Sequence, residues 1–246
     1  MDALRDGFKD MWLSDDDFII ESDSDDEEEV HNYHCCVLSV DIGIKHLGIS
    51  VTLLNEDYTI MEIIWIDMID IQVFAHKDGP SKKECKLNHT KTFCDWINHV
   101  FQENITLFER ADVILIERQP PMGLVGIEQL IFSRWREKAV LISPNSMHKF
   151  FRIGHYDYEQ RKEQTEIITR KCLAKDSSLI EQFGYYHRKH DIADSVCMMI
   201  FWIDKKQKEY QDLQRKERLK NIVYDREKNG YKMSVDEWFE QFRYRG

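Results

Sequence analysis

The chain has 246 residues, 42% of them hydrophobic, which is enough for one full core with appendages. No apolar run reaches the ~18 to 20 residues that a membrane span needs, and neither a signal-peptide core nor an Arg-rich transit sequence is present at the N-terminus. The six cysteines form no CxxC pair and have no zinc-ligand spacing, so we expect reduced thiols in a cytoplasmic, reducing compartment and no membrane partner.

The formal net charge of −11 is concentrated at the start of the chain. Residues 1–30 hold 13 acidic and two basic residues, a balance of −11, so the rest of the chain is neutral. This composition predicts a disordered, solvated acidic tail over residues 1–34. Two sharper hypotheses are that the tail competes with phosphates for the protein's own basic surface, or that it recruits an unknown protein partner through Phe18, Ile19 and Ile20.

Three strands are predicted at the start of the folded part. Stretches rich in β-branched and apolar residues extend over residues 36–42, 47–54 and 58–66. The last two are separated by a turn at residues 55–57, so the three strands form an antiparallel meander. A long basic loop is predicted to follow over residues 68–88, because it contains a Gly-Pro-Ser sequence and several lysines.

Helices and two further strands alternate after this loop. Two short apolar runs, residues 111–117 and 139–143, are typical of buried parallel strands. The predicted helices lie at residues 89–109, 124–138, from Met147 onward, at 159–175, and from His190 to about Asn221. The order β-β-β-α-β-α-β-α predicts an α/β fold of the ribonuclease H-like class. In this fold a mixed five-stranded sheet, three antiparallel strands followed by parallel crossovers, is flanked by helices.

Two acidic residues lie in the predicted buried strands. Asp41 interrupts the apolar run of the first strand, and Glu117 ends the run 111–117. In such a sheet the first strand is central and the strand after the first helix pairs beside it, so both carboxylates come to the same edge. Two buried like charges stay ionised only when a cation lies between them; otherwise one takes up a proton. Asp41 alone would also suit the cap of a turn.

A third element supplies two more carboxylates. The sequence HDIADS, residues 190–195, carries Asp191 and Asp194 three positions apart on one face of the long helix, although such a pair also occurs on solvated faces. Four carboxylates at one place form an oxygen-rich site suited to Mg²⁺ or Mn²⁺. Two such ions ~3.5 to 4 Å apart can bind the attacking water and the leaving oxygen of a phosphodiester. The pattern therefore predicts metal-dependent nuclease chemistry.

Three motifs of the chain resemble a known enzyme family. VLSVDIGIKHLGISV (residues 37–51), ILIERQ (residues 114–119) and HDIADS resemble, in order and spacing, the acidic motifs of Holliday junction resolvases related to bacterial RuvC. The IERQ sequence is most similar to the poxvirus-type and mitochondrial branches. The resemblance covers roughly residues 36–203. It implies a homodimeric endonuclease that resolves four-way DNA junctions by paired symmetric nicks on two opposed strands.

The resemblance also implies roles for individual residues. The positions that it assigns to two divalent ions in each subunit, Mg²⁺ with Mn²⁺ as a substitute, are Asp41, Glu117, Asp191 and Asp194. It further implies a catalytic lysine between the second and third motifs that contacts the region of the scissile phosphate. Lys149 and Lys162 compete for this role, with Lys171 behind them as a DNA contact.

Further residues beside the motifs are candidates for DNA binding. Arg118 and Gln119 follow the second motif, where they suit either a phosphate contact or the tethering of a loop. Arg188 and Lys189 end a segment that mixes aromatic and basic residues before the third motif. That composition suits contact with a junction, and an ordinary exposed loop explains it nearly as well.

Two segments lie outside the resemblance, the tail 1–34 and a charged helical extension over residues 205–246. We therefore predict three parts, with the nuclease domain at residues 35–204 between them. Because no mitochondrial presequence is evident, large cytoplasmic DNA viruses are the nearest source for a resolvase of this branch. The host-cell cytoplasm is then the expected location.

Three other functions compete with the resolvase. DIGIKHLGIS (residues 41–50) also resembles the first phosphate loop of the actin, Hsp70 and sugar-kinase ATPases. Those ATPases need two such domains and a second Asp-x-Gly-Gly loop. The ATPase interpretation also gives Glu117 no role. A ribonuclease H acting on RNA–DNA hybrids would share the metal chemistry and differ in substrate. A binding module without turnover is the third alternative, and the presence of all four acids argues against it.

Overall fold

A mixed sheet of five strands forms the centre of the molecule. The computed structural model of the protein describes residues 33–75, 87, 88, 90 and 92–228. The strands are β1 (Cys35–Ile42), β2 (His46–Leu54), β3 (Ile60–Asp70), β4 (Val113–Glu117) and β5 (Ala139–Ile142). They lie in the order β3-β2-β1-β4-β5, with antiparallel pairs among the first three and parallel pairs from β1 to β4 and from β4 to β5. The predicted α/β architecture is therefore confirmed.

The pairing of β1 determines where the carboxylates lie. Every residue of β1 is buried, as expected for a central strand covered on both faces. The parallel register pairs Val40 with Ile116, which brings Asp41 level with Glu117 at the carboxyl ends of the two strands. On the other side, Asp41 pairs with Gly48 of β2. Both carboxylates therefore come to the same edge of the sheet, as predicted.

Helices cover both faces of this sheet. They are α1 (Phe93–Glu103), α2 (Ile105–Arg110), α3 (Val125–Arg134), α4 (Pro144–Phe150), α5 (Tyr158–Cys172), α6 (Ser177–Tyr185) and α7 (Lys189–Lys228). Short 3₁₀ turns follow β3 and α5, at Ile71–Ala75 and Leu173–Lys175. Helices α1 to α3 pack on one face around Phe101, Phe108 and Trp135. Helices α4 to α7 pack on the other face around Phe183 and Val196.

The structure corrects several predicted boundaries. The single helix predicted over residues 89–109 is divided at Asn104, whose side-chain amide donates to the carbonyl of Val100 at 2.8 Å. A short polar side chain that bonds to nearby backbone groups in this way competes with the helix. Strand β3 continues into the predicted loop 68–88, and the helix from Met147 starts earlier, at Pro144.

Helix α6 was not predicted from the sequence. It starts after Asp176, whose side chain accepts a hydrogen bond from the backbone N–H of Leu179 at 3.0 Å and so caps the helix. Tyr186, in the segment for which the sequence allows either junction contact or an exposed loop, is buried at the end of α6 and donates to Asp67 of β3 at 2.9 Å. This contact fixes the segment immediately before α7.

Helix α7 runs without interruption through the predicted domain boundary at residue 204. Just beyond the boundary, the Gln207 amide donates to the carbonyl of Tyr58 at 3.0 Å, so the first turns of the extension rest on the sheet domain. Residues 1–32 of the predicted acidic tail, including Phe18, Ile19 and Ile20, most of the basic loop, and residues 229–246 lie outside the described residues. In the described ranges, no helix is long and apolar enough to cross a membrane.

Candidate active site

Asp41 and Glu117 contact each other directly at the sheet edge. Their carboxyl groups are joined by a hydrogen bond, which requires that the pair share a proton, and this bond raises the pKa of Asp41. Burial and the charges of Glu117, Asp194 and Asp191 raise the pKa of Asp41 well above its ordinary value. Burial and the charge of Asp194 raise the pKa of Glu117 to about 7. The like charges at this edge are therefore relieved by a proton.

Helix α7 reaches the same edge because Gly48 leaves room for it. A Cβ atom added to Gly48 of β2 would lie 1.9 Å from the carbonyl oxygen of Asp191, well inside van der Waals contact. Only glycine therefore allows the first turn of α7 to lie against the sheet beside Asp41. This close packing is the reason for the glycine.

Asp191 is the one member of the cluster whose charge is balanced. It is 4% exposed, and Arg188 approaches it with Nε 2.9 Å from Oδ2 and a second nitrogen 3.3 Å from Oδ1. The ring of His190 lies 3.1 Å from Oδ1, and Nδ1 of His46 lies 3.9 Å from Oδ2. Burial acts to raise the pKa of Asp191, but hydrogen bonds from His190 and Arg188 outweigh it, and the pKa lies below its ordinary value.

Asp194 lies one turn further along α7, and two residues of α5 accompany it. Burial raises the pKa of Asp194 to about 6, against the opposing effects of a hydrogen bond from Thr165 and the charges of His190 and Lys162. Asp194 in turn acts on both Asp41 and Glu117. All four predicted carboxylates therefore interact at one place, and their role as metal ligands stays a prediction.

The loop after β4 is held to Glu117 by Gln119. The side-chain amide of Gln119 donates to Glu117, its oxygen accepts from the backbone N–H of Leu124 at 3.2 Å, and its own N–H donates to Glu128 at 2.6 Å. Of the two predicted roles for Gln119, the tethering of a loop is the one with contacts in the structure. Arg118 points to solvent beside Glu117, where DNA contact stays a prediction.

The predicted lysines occupy three different places. Lys162 acts electrostatically on Asp194 and lies 4.0 Å from the ring centre of Tyr158. Lys149 is exposed at the end of α4 and lines a separate cavity. Lys171 is exposed nine residues beyond Lys162 on α5, about 13 Å further along the helix axis. Lys162 is therefore the lysine that the fold brings to the carboxylates.

The two basic residues before the third motif, Arg188 and Lys189, also lie in different surroundings. Arg188 is engaged with Asp191, so it would reach DNA only after releasing that carboxylate. Lys189 is the partly exposed first residue of α7. Contact of either residue with DNA stays a prediction.

The residue types of the cluster suit a magnesium-type ion, although the side chains are not arranged as a ready metal site. In the part of the chain that the structure describes, no group of three or more His, Cys, Asp or Glu side chains is arranged as a ready metal site. Instead, a proton joins Asp41 to Glu117, and Arg188 covers Asp191. Carboxylate oxygens are the ligands that Mg²⁺ and Mn²⁺ prefer, and a divalent cation would replace both the proton and the arginine. The residues therefore fit the implied ions.

Several residues of the site were missed or misplaced by sequence reasoning. Thr165 and Glu128 were not singled out, because their contacts depend on how α5 and α3 pack. His46 and His190, which no sequence pattern marks as part of the site, both lie against the buried Asp191. The adjacency of His190 to Asp191 in HDIADS was the only signal available for any of them.

Comparison with known proteins identifies the fold. A fowlpox virus resolvase, solved with its substrate Holliday junction DNA, is 18% identical with a TM-score of 0.51, over 69% of this chain and 97% of that chain. The yeast mitochondrial Holliday junction resolvase Ydc2 is 17% identical with a TM-score of 0.48, over 73% and 83%. Thermus thermophilus RuvC is 12% identical with a TM-score of 0.45, over 70% and 97%. Scans against protein-family models and curated proteins found no match. The likeness to the fowlpox protein shows that this chain has the same fold as that protein, in agreement with the ribonuclease H-like architecture predicted from the sequence.

Proposed function

We propose that this chain is a metal-dependent endonuclease that resolves four-way DNA junctions by paired symmetric nicks. The observation that carries the proposal is the convergence of Asp41, Glu117, Asp191 and Asp194 at one sheet edge. The fold of the chain is also that of the fowlpox virus resolvase, a protein solved with Holliday junction DNA.

The chemistry assigned to the cluster is phosphodiester hydrolysis. Two bound divalent ions would supply a nucleophilic water and stabilise the leaving oxygen. Asp41 and Glu117 hold their side of the site on the rigid sheet, and Asp191 and Asp194 hold the other side on α7. Gln119 orients Glu117 through its amide, and Thr165 orients Asp194. Lys162 adds a positive charge beside Asp194, where it would face the scissile phosphate.

Paired nicks require two active centres on one junction. The described residues of one chain form one carboxylate cluster, and the two cuts of a symmetric resolution lie on opposed strands. We therefore propose a homodimer in which each subunit supplies one centre to one strand. Branched DNA is the substrate, and Mg²⁺, with Mn²⁺ able to substitute, is the proposed cofactor.

Two alternatives share parts of this site. A nuclease for RNA–DNA hybrids would use the same carboxylates, so only substrate preference separates it from a resolvase. An ATPase of the actin and Hsp70 type leaves Glu117 without a role, whereas here Glu117 is bonded to Asp41 and oriented by Gln119. The contacts of Glu117 therefore favour the nuclease over the ATPase.

A cleavage assay with three substrates tests the proposal. Labelled four-way junction, linear duplex and RNA–DNA hybrid are incubated with the full chain in Mg²⁺, Mn²⁺ or EDTA. We expect symmetric nicks in the junction alone, and only with a divalent ion. Preferential cutting of the hybrid would favour the ribonuclease alternative. ATP hydrolysis without any nicking would contradict the proposal.

A further inference from the structure

A basic cavity lies outside the carboxylate cluster. It has a volume of about 560 Å³ between α4, the loop after it and the first turns of α5. Its charged and polar lining consists of Lys149, Arg152, Arg161, His148, His155 and Asn145. Three of these side chains are permanently cationic, and no aspartate or glutamate lines the cavity. The cavity therefore has an unbalanced positive charge.

The wall formed by the end of α4 is firmly built. The backbone N–H of Arg152 donates to the carbonyl of Lys149 at 3.1 Å, and that of Ile153 donates to the carbonyl of His148 at 2.9 Å. These bonds occupy helix-end carbonyls that would otherwise repel an anion. Met147 and Ile153 are 2% and 3% exposed and anchor the turn in the core.

Arg152 occupies a backbone conformation in which glycine is usual. Its φ is 59°, and helices commonly end with glycine in this left-handed conformation, because glycine has no Cβ to clash. An arginine at such a position directs a guanidinium group toward the cavity at a conformational cost. Unfavourable backbone conformations of this kind persist where the surrounding structure or a function requires them.

Arg161 forms the opposite wall. One of its terminal nitrogens donates to the carbonyl of Tyr156 at 2.7 Å, which fixes the guanidinium group at the start of α5. Burial and the charge of Arg161 lower the pKa of His148, which is the effect expected where positive charge accumulates. Arg161 also directly precedes Lys162, whose charge acts on Asp194. The first turns of α5 therefore carry both a residue of the cavity and a lysine that acts on the carboxylate cluster.

We propose that this cavity binds a backbone phosphate of the DNA, on a junction arm next to the scissile bond. Arginine and lysine are the residues that bind phosphate groups most often, and contacts of this kind position a duplex without reading its sequence. A cavity of this size, with Lys149 and Arg152 exposed in its lining, suits a phosphate within a polymer better than a small ion. The inference rests on the proposed nuclease function and adds a second point of contact with its substrate.

Arg152→Gly tests the inference without disturbing the fold. Glycine suits a φ of 59°, so the turn keeps its shape while one positive charge is lost. The matched control is Arg136→Gly, which removes an exposed arginine three residues before β5, at the opposite end of the sheet. Binding of a labelled four-way junction to the full chain is measured by fluorescence anisotropy in EDTA, where no cutting occurs, over a series of salt concentrations.

The measured quantity is the dependence of junction affinity on salt concentration, expressed as the slope of log K against log salt. Each lost phosphate contact lowers the slope of log K against log salt by about 0.9, so Arg152→Gly is expected to lower the slope by that amount and to weaken binding several-fold. Arg152→Gly combined with Arg161→Gln is expected to lower the slope further. The Arg136→Gly variant keeps the slope of the parent chain. Equal slopes for the parent and both cavity variants would overturn the inference.

Two further outcomes complete the test. One distinguishes free phosphate from DNA phosphate as the ligand of the cavity, and the other distinguishes failure of this inference from failure of the nuclease proposal. The imidazole NMR signals of His148 and His155 are followed while inorganic phosphate is added. If phosphate shifts these signals but the cavity variants keep the parent's slope, the cavity takes free phosphate and the DNA inference is overturned. Failure of the parent chain to cut junctions would contradict the nuclease proposal instead, because the anisotropy measurement requires no cleavage.

Discussion

The carboxylate cluster and the basic cavity collect opposite charges by different means. In the cluster, Asp41 and Asp191 are buried, so repulsion is relieved by the hydrogen bond between Asp41 and Glu117 and by Arg188 beside Asp191. In the cavity, Lys149 and Arg152 face solvent, where water and salt screen their repulsion. A buried carboxylate cluster must therefore take up protons or bind cations. A basic cavity that is open to solvent keeps its charge and is available to bind a polyanion.

This difference predicts what each region contributes to activity. The cluster determines whether the phosphodiester bond breaks, because its four side chains are the proposed ligands of the ions. The cavity affects how tightly the substrate is held. Substitutions in the cluster should therefore change the cleavage rate by large factors with little change in DNA binding, and substitutions in the cavity should do the reverse.

The largest effect is expected for Asp41→Asn, which tests the cluster directly. The change keeps the shape of the side chain but removes a metal ligand, so the cleavage rate should fall on the order of 1000-fold with junction binding nearly unchanged. The matched control is Asp67→Asn on β3, at 6% exposure against 7% for Asp41. An asparagine there still accepts from Tyr186, so cleavage should stay within a few-fold of the parent.

Unfolding experiments compare the same two variants, Asp41→Asn and Asp67→Asn. In EDTA at pH 8, Asp41→Asn should raise the unfolding free energy by ~1 kcal/mol, because it removes a buried group that resists ionisation. Asp67→Asn should give an unfolding free energy equal to that of the parent chain or lower. Normal cleavage by the Asp41 variant would show that the cluster is not the catalytic site.

The next effect concerns the close contact between Gly48 and α7. Gly48→Ala would force the first turn of α7 away from the sheet, so we expect a loss of about 3 kcal/mol in unfolding free energy and a separate fall in the cleavage rate of the folded fraction. Gly184→Ala in α6 is the control, since its Cβ would meet nothing within 4 Å and alanine favours a helix by ~0.5 to 1 kcal/mol. Denaturant unfolding and single-turnover cleavage measure both effects.

A smaller effect is expected from the lysine beside the cluster. Lys162→Met removes the positive charge next to Asp194, and the single-turnover cleavage rate should fall roughly 100-fold with little change in junction affinity. Lys175→Met, at an exposed position in the turn after the same helix, should cleave at the parent rate. Equal rates for the two variants would remove Lys162 from the catalytic site.

The smallest expected effect is the pH dependence of stability without metal. Folding raises the pKa of Glu117 from 4.5 to about 7 and that of Asp194 from 3.8 to about 6, so the folded chain binds more protons than the unfolded chain between about pH 4 and pH 7. The stability that these protons contribute is present at low pH and is lost as the pH rises through about 6 to 7. Asp191, with its lowered pKa, has the opposite sign, and its contribution is lost only as the pH falls below this window.

Thermal unfolding in EDTA between pH 5 and pH 8 measures this dependence. Glu117→Gln should flatten the fall in stability over the window, and Mn²⁺ added to the parent at pH 8 should restore the stability that the lost protons had contributed. A parent and variant with parallel profiles would contradict the assignment of the raised pKa to Glu117.

The sheet and the four acids could be predicted because local signals were strong. β1 and β4 are apolar runs, and the two-residue period of a strand makes a carboxylate within them conspicuous. The break at Asn104 and the start of α6 at Ser177 were missed because no proline or glycine marks either position. The capping role of Asp176 was visible as a residue type, but its effect depends on the backbone around it.

The partners of the acids could not be predicted, because they depend on packing between distant elements. Thr165 reaches Asp194 only because α5 lies against α7. The basic cavity needs the left-handed turn at Arg152, which no pattern in a sequence without glycine at that position indicates. The choice between Lys149 and Lys162 was left open for the same reason.

A calorimetric titration of the full chain with Mn²⁺ tests the central claim most directly. At pH 7 in EDTA-free buffers of different ionisation enthalpy, we predict saturation at two ions per chain with release of protons from the cluster, since burial and the neighbouring carboxylates raise the pKa of Asp41 well above its ordinary value. The Asp41→Asn variant should bind fewer ions or bind them far more weakly, while Asp67→Asn should behave as the parent. An absence of Mn²⁺ uptake by the parent, or equal uptake by the Asp41 variant, would contradict the account.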